Sequence, residues 1–408
     1  MNISNLKQDY VNIEEKIVLI RTDFNVPLKK IENDYVIKDH TRIDKTIPTI
    51  KEIIKNNPKL IIIVTHLGRP NGEYVDNLSL YPIKNYLSLK LNRKIQFLTQ
   101  FYPLTNLSNF TGIVMLENIR FHKDEENYFP SNGLANYFSN YVDIYINEAF
   151  SCSHREHTSI VGINCKSKLA GKLLMNEIGH LLPVISNKNK KTLIIGGSKI
   201  SDKMKLIENL LPTLDNLIIG GAMAFSFLKI INKIDIGKTL YYQSSEECVN
   251  KIEKLVQKYN GSLNLVLPID WVIAESVDSD KVFTTNKDIP SNYMGLDIGS
   301  ESIFLFNQII NSIPKETIIV WNGPMGVFEK EQFSYGTECI AKSLINKTEN
   351  KIIIGGGDSS SALNKFILKE DIDNFVDRDN HISTGGGACL EFLEGKSLPG
   401  INCLNNIF

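Results

Sequence analysis

One unit recurs along the chain: a short run of Ile, Val and Leu, then polar or glycine residues, then a helix-spaced pattern. It begins at Ile17–Ile20 before R-T-D-F-N-V-P, at Leu60–Val64 before T-H-L-G-R-P, at Ile113–Leu116 before E-N-I-R-F-H and at Val142–Ile146 before N-E-A-F. It returns at Leu193–Ile195 before G-G-S-K-I-S-D-K, at Leu217–Ile219 before G-G-A-M-A and at Leu263–Leu267 before P-I-D-W. Thr317–Val320 before W-N-G-P-M-G and Ile352–Ile354 before G-G-G-D complete the series. Strands that are apolar on both faces and alternate with helices predict an α/β fold with parallel sheets covered on both sides. Ligands of such sheets bind at the carboxyl ends of the strands. The uncommon residues of this chain all follow the apolar runs, at that edge.

The chain has 408 residues, too many for one ordinary core, so two or three domains are expected. Hydrophobic residues make up 42% and charged residues 22%, a balance that fits a soluble globular protein rather than a disordered one. A net charge of −1 gives no general reason to bind nucleic acid or an anionic membrane. Cysteines at 152, 165, 248, 339, 389 and 403 form no C-x-x-C, so neither a zinc site nor a redox pair is indicated, and a reducing cytoplasm is expected. M-N-I-S-N-L-K-Q-D-Y has no apolar core and reads as no secretory leader, and no apolar run is long enough to span a membrane.

The units differ between the two halves. The first half carries Arg21, Arg42, His66, Arg69, Arg120, His122, His154, Arg155 and His157 in or near its strand-end turns; the second carries glycine clusters and two lysines, Lys199 and Lys203. Two α/β domains follow, one with a cationic cleft and one with glycine-rich turns. The join falls near Leu169–Pro183, where the spacing of Leu173, Leu174, Ile178, Leu181 and Leu182 predicts a helix ended by Pro183.

The stretch I-I-I-G-G-G-D-S-S-S-A-L, Ile352 to Leu363, reads as a buried strand running into a helix, with Asp358 to Ser361 as helix starters. Backbone N–H groups at such a junction favour an anion. Asp358 would repel a bare phosphate, so a cation is expected between them, most plausibly Mg2+. A plain turn with an Asp or Ser cap has the same physics and remains the alternative from this stretch alone. No Walker loop occurs, and Ser360 stands where a dinucleotide fingerprint on Gly355 and Gly357 needs its third glycine.

Arg42 opens a helix in T-R-I-D-K-T-I-P-T-I, Arg69 follows His66, Arg120 lies in E-N-I-R-F-H and Arg155 in S-C-S-H-R-E-H. Each alone reads as a solvated arginine. Together at strand ends they suit a small, multiply anionic metabolite, because the guanidinium fork pairs with carboxylate and phosphate. Asp23 and Asn25 suit its hydroxyl groups. The histidines show no H-x-x-x-H or H-E-x-x-H spacing, so a metal is not expected there. Lys199 and Lys203, four apart, are expected on one helical face after a phosphate-compatible turn, or else as a solvent-facing pair. W-N-G-P-M-G-V-F-E offers a rigid turn with Glu329 able to accept from ribose hydroxyls, and S-T-G-G-G-A-C-L, Ser383–Leu390, is another glycine turn before a helix.

Ten motifs in register, from R-T-D-F-N-V-P through M-G-L-D-I-G and W-N-G-P-M-G-V-F-E to S-T-G-G-G-A, resemble those of the phosphoglycerate kinase family over nearly the whole chain. The resemblance implies two Rossmann-like three-layer αβα domains joined by an interdomain helix. Residues 1–168 would bind 3-phosphoglycerate, 169–184 would form the helix, 185–391 would bind nucleotide, and 392–408 would pack back on the N-terminal domain. It implies that Asp23, Phe24, Asn25, Arg42, His66, Leu67, Gly68, Arg69, Arg120 and Arg155 bind 3-phosphoglycerate. Gly197, Ser198, Lys199, Lys203, Gly221, Gly295, Asn322, Pro324, Glu329 and Gly356 to Ser359, including Gly357, would bind ADP or ATP, with Asp358 near Mg2+. Arg42 and Lys199 would flank the phosphoryl group in flight, aided by backbone amides near Gly357 and Gly386. The activity implied is reversible transfer between 1,3-bisphosphoglycerate with ADP and 3-phosphoglycerate with ATP, in glycolysis and gluconeogenesis, by a hinge-bending cytoplasmic monomer. Four positions depart from the family's usual pattern: Glu148 for aspartate, Ser151 for glycine, Ser198 for alanine and Ala222 for a third glycine. None removes a charge the chemistry needs. Two other readings compete. The missing G-x-G-x-x-G argues against an NAD-dependent dehydrogenase, and the charged residues kept in both halves argue against a non-catalytic nucleotide binder.

Overall fold

A computed structural model describes residues 11–32, 34–186, 188–258 and 263–407. Met1–Tyr10, in which no secretory leader is read, lie outside the described residues. The chain divides into two compact units, Met1–Gly179 with Lys396–Phe408, and His180–Gly395.

In the first unit the apolar runs become strands β1 (Ile17–Arg21), β4 (Leu60–Val64), β6 (Gly112–Leu116) and β7 (Ile144–Asn147). The sequence pattern did not bring out β2 (Leu28–Ile31), β3 (Asp34–Ile37), β5 (Gln96–Leu98) or β8 (Ser167–Ala170), which are only three or four residues long and each carry a charged or polar residue. One sheet runs β8-β7-β1-β4-β6-β5, with the tail strand Asn406–Ile407 beyond β8, and its described pairings are parallel. β1 sits near the middle and all five of its residues are buried. Register sets Arg21 beside Val64 on one side and Asn147 on the other. The turns after β1, β4 and β7 therefore emerge side by side. Helix α1 (Thr41–Lys55) buries Ile43, Ile47, Ile50 and Ile53, the stripe of an amphipathic helix, against β-strand residues such as Ile20 and Ile63. Each such side chain stabilises by about 1.5–3 kcal/mol, so this contact holds the α1 start over the strand ends.

Helix α2 (Lys172–Ser186) differs from expectation at both ends. Leu169 and Ala170 belong to β8, so the helix begins later. It also runs one turn past Pro183. A proline inside a helix clashes with, and leaves unpaired, the carbonyl four residues back. Here that residue is Gly179, exposed and with open space around its Cα, while Ser186 Oγ donates to Leu182 O at 2.8 Å to close the last turn. Glu148, one of the departures, reaches the helix start: its Oε1 accepts from Leu173 N at 3.1 Å and from Thr49 Oγ1. Burial pushes its carboxyl up to about 7.

The second unit contains β9 (Lys191–Ile195), β10 (Leu214–Ile219), β11 (Asn264–Val266), β15 (Ile318–Asn322), β16 (Ile352–Gly355) and β17 (His381–Ile382) in a parallel sheet ordered β11-β10-β9-β15-β16-β17. Ile195 pairs with Asn322 and Asn322 with Gly355, so the turns after β9, β15 and β16 share one edge. A second sheet, β12 (Trp271–Ala274), β13 (Phe283–Thr285) and β14 (Met294–Ile298), is antiparallel and was not expected. Its strands are three to five residues long; β12 is a four-residue apolar run, but β13 is mostly polar and β14 is broken by Gly295 and Asp297, so no repeating pattern marks the sheet. Among the described residues no helix is long and apolar enough to cross a membrane.

Asp297 on β14 is buried; it accepts from Ile298 N at 2.9 Å and Gly336 N at 2.8 Å, yet burial lifts its pKa from 3.8 to about 7. Between those values the folded protein holds a proton that the unfolded chain releases, so this group loses stability as pH rises toward 7. Asp297→Asn is therefore expected to gain on the wild type as pH goes from 5 to 8 in urea unfolding. A pH-independent difference between the two proteins would rule this out.

Candidate functional site

In the first unit the turns after β1, β4 and β7 build one network. Arg21 is fully buried; its Nε donates to Ser159 Oγ at 2.7 Å, and its Nη2 lies 3.9 Å from Glu125 and 3.5 Å from His66 Nδ1. Asp23 Oδ1 accepts from Asn25 N at 3.0 Å, and Oδ2 accepts from both Arg42 Nη1 and Ser151 Oγ. Burial alone would raise the Asp23 pKa; His66, Arg42, Ser151 and the Asn25 N–H outweigh it and hold the carboxyl below its usual range. His66 is itself driven well below its ordinary value by burial and by Arg21 and Arg120, with Asp23 only partly opposing. A neutral imidazole cannot supply that charge, so Arg42, Ser151 and the Asn25 N–H are the partners that keep Asp23 ionised. Facing the guanidinium, His66 Nδ1 is the acceptor, which assigns the proton to Nε2.

The T-H-L-G-R turn is clamped by Asn118, which accepts from Leu67 N at 3.2 Å and donates to Leu67 O at 2.7 Å. Asn25 Oδ1 accepts from Gly68 N at 3.0 Å, and Arg120 Nη1 donates to Gly68 O at 2.7 Å. Asp23, Asn25, Arg42, His66, Gly68 and Arg120 thus form one connected set. The side chains of Phe24 and Leu67 lie in the core, so any ligand would meet only their backbone. Arg69 and Arg155 are exposed on the flanking turns, Arg155 Nε lying 3.2 Å from His154 Nε2. Asp23, His66 and Cys152 place an oxygen, a nitrogen and a sulfur within 4.8 Å of one another. The guanidiniums of Arg21 and Arg42 already occupy the lone pairs of His66 and Asp23, and their charge opposes a metal cation there.

In the second unit the turns enclose a cleft of about 300 Å³, lined by Gly196 to Lys199, Asp202, Lys203, Met223, Asn322 to Pro324, Gly356 to Ser359, Gly386, Gly387 and Leu390. A Cβ on Gly196 would fall 1.9 Å from Pro324 O, so only glycine lets the turns after β9 and β15 close up. Gly221 begins α3 (Gly221–Ile230), whose Met223 N donates to Gly197 O at 3.0 Å. Helix α4 (Gly357–Phe366) is preceded by Gly356 at φ +92° with no side-chain cap. The helix therefore starts one residue before Asp358, and the hydroxyls expected to cap it do not. Its first N–H groups are left for a ligand. Ser359 Oγ instead accepts from Gly323 N at 2.7 Å, tying α4 to the β15 turn. Helix α5 (Gly387–Leu393) likewise begins after Gly386 with no side-chain cap.

Lys199 and Lys203 do not share a helical face. Lys199 has an extended backbone (φ −116°) ahead of the short 3-10 turn Ile200–Lys203, and its Nζ lies 4.8 Å from the Tyr242 ring centre. Lys203 Nζ instead donates to Asn322 Oδ1. Burial lowers the Lys203 pKa, with Asp202 and Asp358 pulling the other way. Asn322 Nδ2 is buried without a partner among the described residues, a donor in the cleft wall awaiting an acceptor. Open amides, two lysines and this donor suit an anion, and the exposed Asp358 beside them suits a cation on that anion. Gly221, Gly295 and Glu329 are not among the lining residues: Gly295 packs under Phe225, and Glu329 is exposed. Asp202, Met223 and Leu390 were not anticipated: Asp202 lies within G-G-S-K-I-S-D-K, which was read for its lysines, and nothing local marks Met223 or Leu390.

Two α/β units, one with an arginine-rich strand edge and one with a glycine-walled, phosphate-type cleft, define a class of phosphate-handling α/β proteins. The family model for phosphoglycerate kinase matches residues 8–396. Phosphoglycerate kinase of Dictyostelium discoideum is 39% identical over 98% of each chain, and that of Saccharomyces cerevisiae 36% over 98% of each. The solved phosphoglycerate kinase of Coxiella burnetii superposes with a TM-score of 0.80 at 35% identity, covering 98% of this chain and 97% of the other. The chain belongs to the phosphoglycerate kinase family, a family of phosphotransferases of glycolysis.

Proposed function

We propose that this chain transfers a phosphoryl group reversibly, with Mg2+, between 1,3-bisphosphoglycerate with ADP and 3-phosphoglycerate with ATP. The observation that carries this reading is the uncapped start of α4, with Asp358 exposed in its first turn. The connected set on the first unit supports a phosphoglycerate site. There Asp23 and Asn25 take the hydroxyl, while Arg42, His66, Arg69, Arg120 and Arg155 take the anionic groups. Gly197, Lys203, Asn322, Pro324 and Gly356 to Ser359 hold the nucleotide phosphates, with Gly221, Gly295 and Glu329 toward its nucleoside. Asp358 would hold Mg2+, which commonly takes one or two carboxylates plus phosphate oxygens. When bound, the ion neutralises phosphate charge.

In the ATP-consuming direction the nucleophile is a carboxylate, already ionised at neutral pH. It forms the new P–O bond as the bond to the ADP oxygen breaks, so no base is required. Catalysis is positioning and neutralisation of the equatorial oxygens. Arg42 and Lys199 would supply that charge, with amides near Gly357 and Gly386 as further donors. A hinge motion bringing the two sets into reach belongs to this reading, as does a cytoplasmic monomer. A coupled assay with ATP, 3-phosphoglycerate and Mg2+ is expected to show turnover that EDTA abolishes and excess Mg2+ restores. No turnover with Mg2+ present would refute the proposal.

A further inference from the structure

Ser151 lies in the 3-10 turn Phe150–Cys152 that follows β7. The usual family residue there is glycine, but Ser151 is not among the positive-φ residues, so the turn has no conformational need of one. The turn is braced: Asn147 Oδ1 accepts from Ala149 N at 3.0 Å, and Asn147 Nδ2 donates to Ser153 Oγ at 3.1 Å. From this support the half-buried Ser151 directs its hydroxyl to Asp23 Oδ2, the same oxygen that accepts from Arg42.

That sharing sets up a conflict. Arg42 can engage substrate charge only by loosening its hold on Asp23. A buried carboxylate is costly to leave without its donor. We propose that Ser151 is a positioning residue which keeps Asp23 Oδ2 hydrogen-bonded when Arg42 turns to the substrate. The proposal rests on the phosphoglycerate site described above. With glycine at 151 the departure of Arg42 would leave Oδ2 without this donor, and Arg42 would be held back in its pairing with Asp23. The groups facing Asp23 are Arg21 from β1, Arg42 from α1, His66 from the turn after β4, and Cys152 beside Ser151. Among the described residues Ser151 is the partner that brings a neutral hydroxyl, and its bond helps hold the Asp23 carboxyl down.

The test compares Ser151→Ala and Ser151→Gly with Ser151→Thr, which keeps the hydroxyl. Both deletions are expected to lower kcat about tenfold, the scale of one hydrogen bond to a charged group, with KM for 3-phosphoglycerate changed less. The acid limb of kcat/KM moves to higher pH, and threonine restores both readouts. In the ligand-free protein, NMR titration of Asp23 is expected to give a higher pKa in Ser151→Ala. An active wild type with kcat, acid limb and Asp23 titration unchanged in both deletions overturns the proposal. An inactive wild type overturns the phosphoglycerate reading and this proposal with it.

Discussion

Arg42→Ala is expected to lower kcat by about 10²–10³ while KM for 3-phosphoglycerate changes little. A donor whose pairing strengthens as charge develops in flight is lost mainly from the transition state and less from the bound substrate. The side chain is 35% exposed at the start of α1 and contributes nothing to the apolar stripe, so folding is expected to survive. Asp23 keeps Ser151 and the Asn25 N–H as donors in the variant, which limits the collateral cost. Arg42→Lys is expected to restore little, because a point charge does not reproduce the planar fork. Steady-state kinetics in both directions, with thermal unfolding as the control for folding, provide the measurement. A rise in KM alone would make Arg42 a binding residue.

The second large effect falls on stability. Arg21 and Glu125 are both fully buried, with Nη2 and Oε1 3.9 Å apart. Ser159 joins them, giving its N–H to Glu125 Oε2 at 2.9 Å and its hydroxyl to Oε1 at 2.7 Å. Burial raises the Glu125 pKa, and Arg21 and Ser159 pull it back. Arg21→Met leaves that carboxylate in the core without its cation, a loss of about 3–5 kcal/mol. The orphaned acid can escape by taking a proton, so the loss should be greater at pH 8 than at pH 5. Native-state hydrogen exchange at β1 and β7 reports the first unit directly. Arg21→Met with Glu125→Gln is expected to recover part of the loss, since a neutral pair carries no uncompensated charge. A single variant as stable as wild type at pH 8 would show that the pair is dispensable.

These two arginines mark how far the chain could be read without its fold. Arg42 was read at a helix start and Arg21 in a strand-end turn, and neither context showed which of the two would be buried. Arg42 came out 35% exposed on a helix start, whereas Arg21 is fully buried against Glu125 and Ser159, the latter 138 residues away. Burial is a property of neighbours, and an isolated sequence position does not carry it. The lysine pair failed for a related reason. A four-residue spacing implies a shared face only if the backbone between is helical, and Lys199 is extended. Pro183 read as a helix end because proline is usually one, whereas here the carbonyl it leaves unpaired belongs to Gly179, which is exposed and open to water.

Continuous apolar runs and glycine turns determined, from the sequence alone, that the chain forms parallel sheets with its candidate site residues at their carboxyl edge. Those signals are local, a strand's composition and a turn's backbone, and they survive without neighbours. Tertiary structure alone decided which groups meet there. It set Ser151 and Arg42 on one oxygen of Asp23, left the first amides of α4 without a side-chain cap, and placed Asn322 Nδ2 without a partner among the described residues. Pairings between residues far apart in the chain depend on sheet register and helix docking, and no local pattern encodes them.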